Sequence, residues 1–381
     1  MDIHDFDDIR PYMAEELDDV YDKLLEDSEF RHIAGNIFEG VSISQIEDLI
    51  YGCSTNESFQ RRMIYPFLLH ILCDHSDGLT SDYSSLSHDK NYTFISNHRD
   101  IVLDPALLDY SLIDNDFKTV EIAIGDNLLI RPWIKDLVRV NKSFIVKRSL
   151  NMREMLLASS KLSKYMHFSI NEKHEHLWIA QREGRAKDGN DRTQESVLKM
   201  MAMGGDLREL NIVPLTITYE YDPCDYLKAE EMQQKRDIVG FKKSQQDDLD
   251  NMKTGIFGYK GRIYYKTGEC INKFLDTLSS DIPKSEYFKT VAGYLDNSIH
   301  RNYHPLAVHY VALDKHTGDS SHSDKYTKED VDKFTNYVEN QLDKVTIDNP
   351  DREFLRNKIY EMYANPIRNH LYALEHISEW Q

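Results

Sequence analysis

Apolar and polar positions divide the chain into helical ends and a middle of a different character. Residues 1–75 carry apolar side chains at helical spacing, as in the stretch 13–25, which predicts amphipathic helices. The ranges 284–300, 327–345 and 351–380 show the same spacing. Both ends of the chain are therefore predicted to be helical.

The middle of the chain alternates short β-rich runs with helical runs. We predict strands at 92–95, 118–124, 143–146, 176–180, 212–219 and 261–266. Helical patterns separate most of these runs, and this alternation predicts an α/β fold, a layered core in which helices flank a central, mostly parallel sheet. The polar stretches 74–90 and 315–325 are predicted to be loops, and the charged stretch 225–255 a helical insertion.

These patterns suggest three regions. They are a helical N-terminal region at 1–80, an α/β domain at 81–280 and a helical C-terminal region at 281–381.

Composition narrows the class of protein. Of the 381 residues, 40% are hydrophobic and 29% charged, which is typical of a globular chain rather than a disordered one. The four cysteines are far apart in the sequence, which argues against a disulfide framework or a structural zinc site and is typical of a cytoplasmic protein. The first eight residues are acidic and lack the cationic start of a signal peptide. No apolar run reaches 18 residues, so we expect a cytoplasmic protein that is soluble or peripheral to a membrane.

The net charge of −19 disfavours nonspecific binding to nucleic acid. The charge is unevenly spread, because residues 1–90 hold 20 acidic and 6 basic residues. By contrast, residues 131–164 hold nine basic and two acidic residues. That range is a candidate anion-binding surface, or alternatively a set of solvated helix faces.

One stretch combines a strand end, a histidine and a helix start. His98 follows the predicted strand at 92–95, and Asp104 precedes Pro105 where a helix is expected to begin. A histidine held by a carboxylate is a general base with a fixed orientation. Asp104 and Asp100 are both candidates for that carboxylate, and two unrelated surface groups are the ordinary alternative.

A second stretch suits an anionic ligand. Arg182, Arg185 and Lys187 surround Gly184, so cationic side chains flank a residue that allows close backbone approach. A charged turn without a ligand is the alternative. The later apolar run 212–220, with Pro214 near its start, is by itself only a buried strand.

In their order, these motifs resemble the glycerol-phosphate acyltransferase superfamily over about residues 90–275. The first motif is Asn97-His98 with a following Asp, and the second is the apolar run 144–148, which ends in Lys147-Arg148. The third is Glu183-Gly184-Arg185, and the fourth is Val213-Pro214. The run Arg182-Glu-Gly-Arg185 is most similar to the bacterial glycerol-3-phosphate 1-acyltransferase branch. Two spacings depart from the family, since the Asp lies one residue later and Arg185 one residue earlier.

The resemblance implies an enzyme that moves a fatty acyl group from acyl-CoA or acyl carrier protein to a hydroxyl of glycerol 3-phosphate or a related lysophospholipid. His98 would be the general base and Asp104 its partner. The residues implied to bind substrate are Arg99, Lys147, Arg148, Arg182, Glu183, Gly184, Arg185 and Lys187. No metal and no cofactor other than the acyl donor is implied.

The resemblance also implies a role in phospholipid biosynthesis at the inner face of a membrane. Because residues 1–90 are strongly acidic, we expect that region to be repelled by anionic lipid and to face away from it. Two other functions stay open. One is a serine-dependent lipid hydrolase using Ser96 or another serine, although no G-x-S-x-G motif is present. The other is a non-catalytic lipid- or partner-binding protein on the same fold.

Overall fold

The computed structural model describes residues 1–37, 41–148 and 150–380. Its strands are β1 (Leu79–Asp82), β2 (Thr93–Ser96), β3 (Val120–Gly125), β4 (Ser143–Val146), β5 (His176–Ala180), β6 (Ile212–Tyr219) and β7 (Ile263–Thr267). The first helices are α1 (Leu17–Glu26), α2 (Ser28–Ile37), α3 (Ile43–Tyr51), α4 (Asn56–Phe59), α5 (Tyr65–His75), α6 (Leu103–Asp114), α7 (Pro132–Val140) and α8 (Met152–Asn171). They are followed by α9 (Glu195–Met201), α10 (Asp225–Asp237), α11 (Gln245–Phe257), α12 (Asn272–Leu275), α13 (Lys284–Arg301), α14 (Ala307–Thr317), α15 (Lys328–Leu342) and α16 (Arg352–Glu375).

The seven described strands form one mixed, mostly parallel sheet. Their order across the sheet is β1-β7-β6-β2-β5-β3-β4. The strands from β6 to β4 in this order are parallel, whereas β7 runs antiparallel to β6 and carries β1 beside it. The α/β class and the mostly parallel sheet flanked by helices are therefore confirmed.

The central strands are apolar on both faces because helices cover both faces. In β2, Phe94 packs in the cluster that contains Leu107 of α6. Its neighbour Ile95 points to the opposite face, into the cluster that contains Met166 of α8. Every residue of β6 is buried as well. These short runs therefore lack the alternation of a half-exposed strand.

Two elements differ from the pattern-based expectation. The predicted loop at 74–90 contains β1, which spans the suggested boundary at residue 80. This edge strand is largely polar, Leu-Thr-Ser-Asp, and pairs only with β7, so its sequence carries no apolar signal. Helix α14 was not predicted, and its apolar residues are spread around its axis because α15 and α16 both pack on it. The segment 225–255 is helical, as predicted.

The acidic N-terminus lies against the basic range 131–164. The backbone of Ile9 accepts a hydrogen bond of 2.8 Å from Ile145 and so covers the edge strand β4. Asp8 binds both Lys147 and Lys161. Burial would raise the pKa of Asp8, but the hydrogen bonds from these two lysines lower it below its usual value. Two of the nine cations of the predicted anion-binding surface are thus bound by the chain's own acidic end.

The C-terminal helices form a separate apolar cluster around Phe334 and Tyr363, which reaches the core through Tyr221 after β6. Helix α16 also contacts the loop that follows β5. Gly189 in that loop has φ = +73°, and a Cβ at this position would collide with the main-chain oxygen of Met362. The loop thus depends on a residue without a side chain to approach α16.

We expect Gly189→Ala to destabilise the fold more than Gly240→Ala. Both residues have positive φ, but a Cβ at 240 meets no atom within 4 Å. The left-handed backbone alone costs about 1–2 kcal/mol, and the collision with Met362 adds about 1–3 kcal/mol. Urea unfolding of the two variants measures the difference, and equal losses would contradict this packing.

Candidate active site

Polar side chains follow the carboxyl ends of three parallel strands. His98 comes after β2, Lys147 and Arg148 after β4, and Arg182 after β5. Parallel strands that run in the same direction end at the same edge of the sheet, where ligands bind in α/β folds. All four side chains line one cavity of about 580 Å³.

His98 and Asp104 form a hydrogen-bonded pair. The Nδ1 atom of His98 lies 2.9 Å from Oδ2 of Asp104. The histidine side chain is 14% exposed, whereas the aspartate is completely buried. Asp104 is in the first turn of α6, as the sequence predicts. Because Nδ1 faces the carboxylate, Nε2 is the ring nitrogen left to face a ligand, and it bonds to no described residue.

The Asp104 carboxylate is itself held by several donors. Its Oδ2 atom accepts the backbone N–H groups of Arg99 at 2.6 Å and Asp100 at 3.0 Å. Its Oδ1 atom accepts the hydroxyl of Tyr219 at 3.2 Å. These bonds compensate the carboxylate for the loss of water. They also fix the orientation of the His98 ring.

The rival aspartate has another task. Oδ1 of Asp100 accepts the backbone N–H groups of Val102 and Leu103, each at 2.8 Å, and so satisfies two backbone donors at the start of α6. Burial and the neighbouring Asp104 raise the pKa of Asp100. The partner of His98 in the structure is therefore Asp104.

The turn that carries His98 is fixed from both sides. Asn97 exchanges two hydrogen bonds with the backbone of Ile217 on β6, at 2.9 and 2.8 Å. The backbone N–H of His98 donates to Oδ2 of Asp191 at 2.6 Å. Burial raises the pKa of Asp191, and the hydrogen bond from His98 opposes the rise.

Asp191 was not predicted as a site residue. It lies in a turn between β5 and α9, 93 residues from His98, and its neighbours in the sequence look like ordinary turn residues. The carbonyl of Asp191 lies 3.0 Å from Nε2 of His300, and Thr193 donates its N–H to Asp296 at 2.7 Å. Helix α13 therefore holds the loop that supports His98.

Trp178 on β5 was also missed. Its ring meets the His98 ring edge-on, with centroids 5.7 Å apart. Its Nε1 atom donates to Oγ of Ser96 at 3.0 Å. Ser96 is completely buried and has no hydrogen bond to His98, so the described residues do not arrange it as the nucleophile of a hydrolase.

The basic residues of the cavity have weak or shared partners. Arg148 lies 3.3 Å from Glu183, and Arg182 lies 3.9 Å from Asp191. Lys147 is bound to Asp8. Glu183 and Gly184 line the same cavity. Five of the eight residues predicted to bind substrate are thus together in its wall.

The other three predicted substrate-binding residues face elsewhere. Arg99 lies 3.7 Å from Asp222, and both Arg99 and Arg185 are buried. Arg185 donates to Asn251 of α11 at 3.1 Å, and Lys187 pairs with Glu231 of α10 at 2.7 Å. The chain turns at Gly184, where φ is +67°, so the side chains of Arg185 and Lys187 meet α11 and α10 instead of the cavity.

The rest of the cavity wall is largely apolar. The N-terminal helices α2, α3 and α5 supply some of these apolar side chains, and the later helices α7, α8, α9 and α11 supply others. Representative lining residues are Ala34, Ile50, Leu137, Leu162, Val197 and Met252. The N-terminal helical region therefore completes a chamber whose polar end is built by the strand ends.

The described residues were also searched for metal-ligand groups and for membrane-spanning helices. Across the described residues, no group of three metal-ligating side chains is close enough to hold an ion. In the same part of the chain, no helix is both long and apolar enough to cross a bilayer.

The chain was compared with family models, curated sequences and solved structures. Neither protein-family models nor curated protein sequences match this chain. Among solved structures, the chain is similar to the 1-acyl-sn-glycerophosphate (LPA) acyltransferase PlsC from Thermotoga maritima, with 13% identity and a TM-score of 0.36. The likeness covers 73% of this chain and 90% of that one. A likeness at this level establishes neither a family nor an activity.

We expect Asp191→Ala to speed exchange of the His98 backbone amide with solvent by at least about tenfold, because the lost acceptor leaves the N–H unpaired. Asp126→Ala is the matched control. Asp126 accepts the backbone N–H of Arg148 at 3.1 Å after β4, so this control should affect Arg148 and not His98. Hydrogen exchange followed by mass spectrometry or NMR measures both. Unchanged protection of His98 in Asp191→Ala would contradict the support described here.

Proposed function

We propose that the protein is an acyltransferase that moves a fatty acyl group from a thioester to a hydroxyl of a phosphorylated glycerol. The observation that carries the proposal is the His98–Asp104 pair in the wall of an apolar cavity. The motif order that resembles the glycerol-phosphate acyltransferases supports it as well.

His98 is the proposed general base. Its Nε2 accepts the proton of the acceptor hydroxyl while the hydroxyl oxygen attacks the thioester carbonyl carbon. The carbon–sulfur bond then breaks, and the imidazolium returns the proton to the leaving thiolate. Asp104 holds the Nδ1–H and stabilises the imidazolium. Such general-base help contributes about 10²–10⁴ in rate, and the positioning of both substrates supplies much of the remainder.

The apolar part of the cavity is the proposed site for the acyl chain. A volume of about 580 Å³ lies in the usual range for small-molecule sites, about 300–1,000 Å³. Burying the chain against aliphatic side chains supplies binding energy along its length. The acyl carbonyl is then held at the polar end of the cavity, close to His98.

Arg148 and Arg182 are the proposed ligands for the acceptor phosphate. Both guanidinium groups line the cavity, and a guanidinium binds phosphate through paired hydrogen bonds. Their present carboxylate partners, Glu183 at 3.3 Å and Asp191 at 3.9 Å, are not bound in tight paired geometry. An incoming phosphate can therefore compete with them. Lys147 adds positive charge nearby but is shared with Asp8.

We expect His98→Ala to lower acyl transfer by about 10²–10⁴-fold with the fold retained. His70→Ala is the matched control, since His70 and Asp74 form an exposed pair at 3.3 Å. Purified protein is incubated with palmitoyl-CoA or palmitoyl carrier protein and with glycerol 3-phosphate or lysophosphatidate, and ester products are measured by mass spectrometry. Transfer by His98→Ala at the original rate would refute the base assignment. Free fatty acid without an ester product would indicate a hydrolase.

Filling the apolar chamber should shorten the acyl chain that is used. Ala34 of α2 is buried and lines the cavity, so Leu and then Phe at this position remove progressively more space. We expect the rate with palmitoyl donors to fall by at least about tenfold in Ala34→Phe, with Ala34→Leu intermediate. The octanoyl rate of each variant is its internal control for folding. A palmitoyl-to-octanoyl ratio equal to that of the original protein would contradict the proposed chain site.

A further inference from the structure

The first six residues of α8, 152–157, are all exposed. Four of them are large and apolar. Met152 is 91% exposed, Leu156 62% and Leu157 63%, and Met155 is exposed to a lesser degree. The helix becomes buried only from Leu162 onward. An isolated exposed leucine is ordinary, but four such side chains on one projecting helix end mark an interaction surface.

Positive charge borders this surface. Arg153, Leu157 and Lys164 recur at intervals of four and seven residues, which places them along one side of α8. Neither Arg153 nor Lys164 forms an ion pair with any other residue that the structure describes. The one acidic residue of this turn, Glu154, accepts the backbone N–H of Asn151 at 3.3 Å and pairs with neither cation among the described residues. In a chain of net charge −19, two unpaired cations beside exposed leucines are a local exception.

The surface also adjoins the site. Met155 is exposed at the start of α8 and lines the same cavity as His98. One turn further along, Ala158 and Ser159 line that cavity too. The apolar wall of the chamber is therefore continuous with the projecting helix end.

We propose that residues 152–157, which include Arg153, form together with Lys164 a surface that docks on an anionic lipid bilayer. Apolar side chains on a helix enter the boundary between headgroups and acyl chains, and basic residues beside them are attracted to anionic headgroups. The role of this docking rests on the proposed function. A bilayer bound at this surface would bring lipid substrates to the cavity without full exposure to water.

A second copy of the chain is a poorer occupant. A stable protein interface buries about 800 Å² on each partner, far more than one and a half turns of a projecting helix offers. A bilayer needs no matching surface and accepts single side chains. The two unpaired cations are also suited to the headgroups of an anionic lipid surface.

Flotation with vesicles tests the proposal without any need for turnover. The full chain should float with vesicles of mixed phosphatidylcholine and phosphatidylglycerol at low salt, and less with phosphatidylcholine alone. Leu156→Gln/Leu157→Gln should lower partitioning by at least about tenfold. Arg153→Gln/Lys164→Gln should lower it by roughly tenfold on mixed vesicles only.

Matched controls come from exposed positions elsewhere. Leu374 of α16 is an exposed leucine, and Lys284 and Lys289 of α13 are exposed lysines without ion pairs in the described part of the chain. Leu374→Gln and Lys284→Gln/Lys289→Gln should bind vesicles as the original protein does. With a short water-soluble acyl donor and glycerol 3-phosphate, Leu156→Gln/Leu157→Gln should keep its turnover, because neither leucine lines the cavity.

Three outcomes would overturn the proposal. They are no flotation of the original protein, equal flotation of the α8 variants and the controls, or equal binding to mixed and purely zwitterionic vesicles. Vesicle binding with no acyl transfer would defeat the proposed function and leave the surface standing. Acyl transfer without vesicle binding would support the proposed function and overturn the docking surface. If the α8 variants float as well as the controls do and also lose turnover only with carrier-protein donors, the second of these outcomes assigns the surface to the carrier protein instead of the membrane.

Discussion

The buried carboxylate of Asp104 is the constraint on which the rest of the site depends. A carboxylate without water is costly unless donors surround it. Here the donors come from the turn after β2, from His98 and from Tyr219 at the end of β6. Tyr265 of β7 also donates to the backbone oxygen of Asp104, at 2.9 Å. The need to satisfy one anion thus ties α6 to β2 and β6, the backbone bond from Tyr265 adds β7, and the orientation of His98 follows.

The helical ends of the chain shape this edge of the sheet from opposite sides. The N-terminal helices supply much of the apolar wall of the cavity, and the acidic segment before them neutralises Lys147 and Lys161. The C-terminal helices hold the loop of Gly189 and Asp191, which in turn supports the backbone of His98. The sheet edge provides the polar groups, and the two ends give them an apolar chamber and a rigid frame.

Most of the core was predictable because its signals are local. The runs that became β2 to β6 are largely apolar over four to eight residues, β7 alternates buried and more exposed positions, and the helices between them have clear spacing. The polar edge strand β1 has no such signal, because only its pairing with β7 makes it a strand. The His98–Asp104 pair was also local, since strand end and helix start are six residues apart.

By itself, the sequence determined the α/β class, the order of strands and helices from β2 to β7 and the pair of His98 with an aspartate, because apolar spacing and turn residues act over short distances. The tertiary structure decided which cations share the cavity and which, like Arg185 and Lys187, bind α10 and α11 instead. It also decided that Asp191 supports His98 from 93 residues away. These outcomes depend on how distant segments pack, and no local pattern of side chains records that packing.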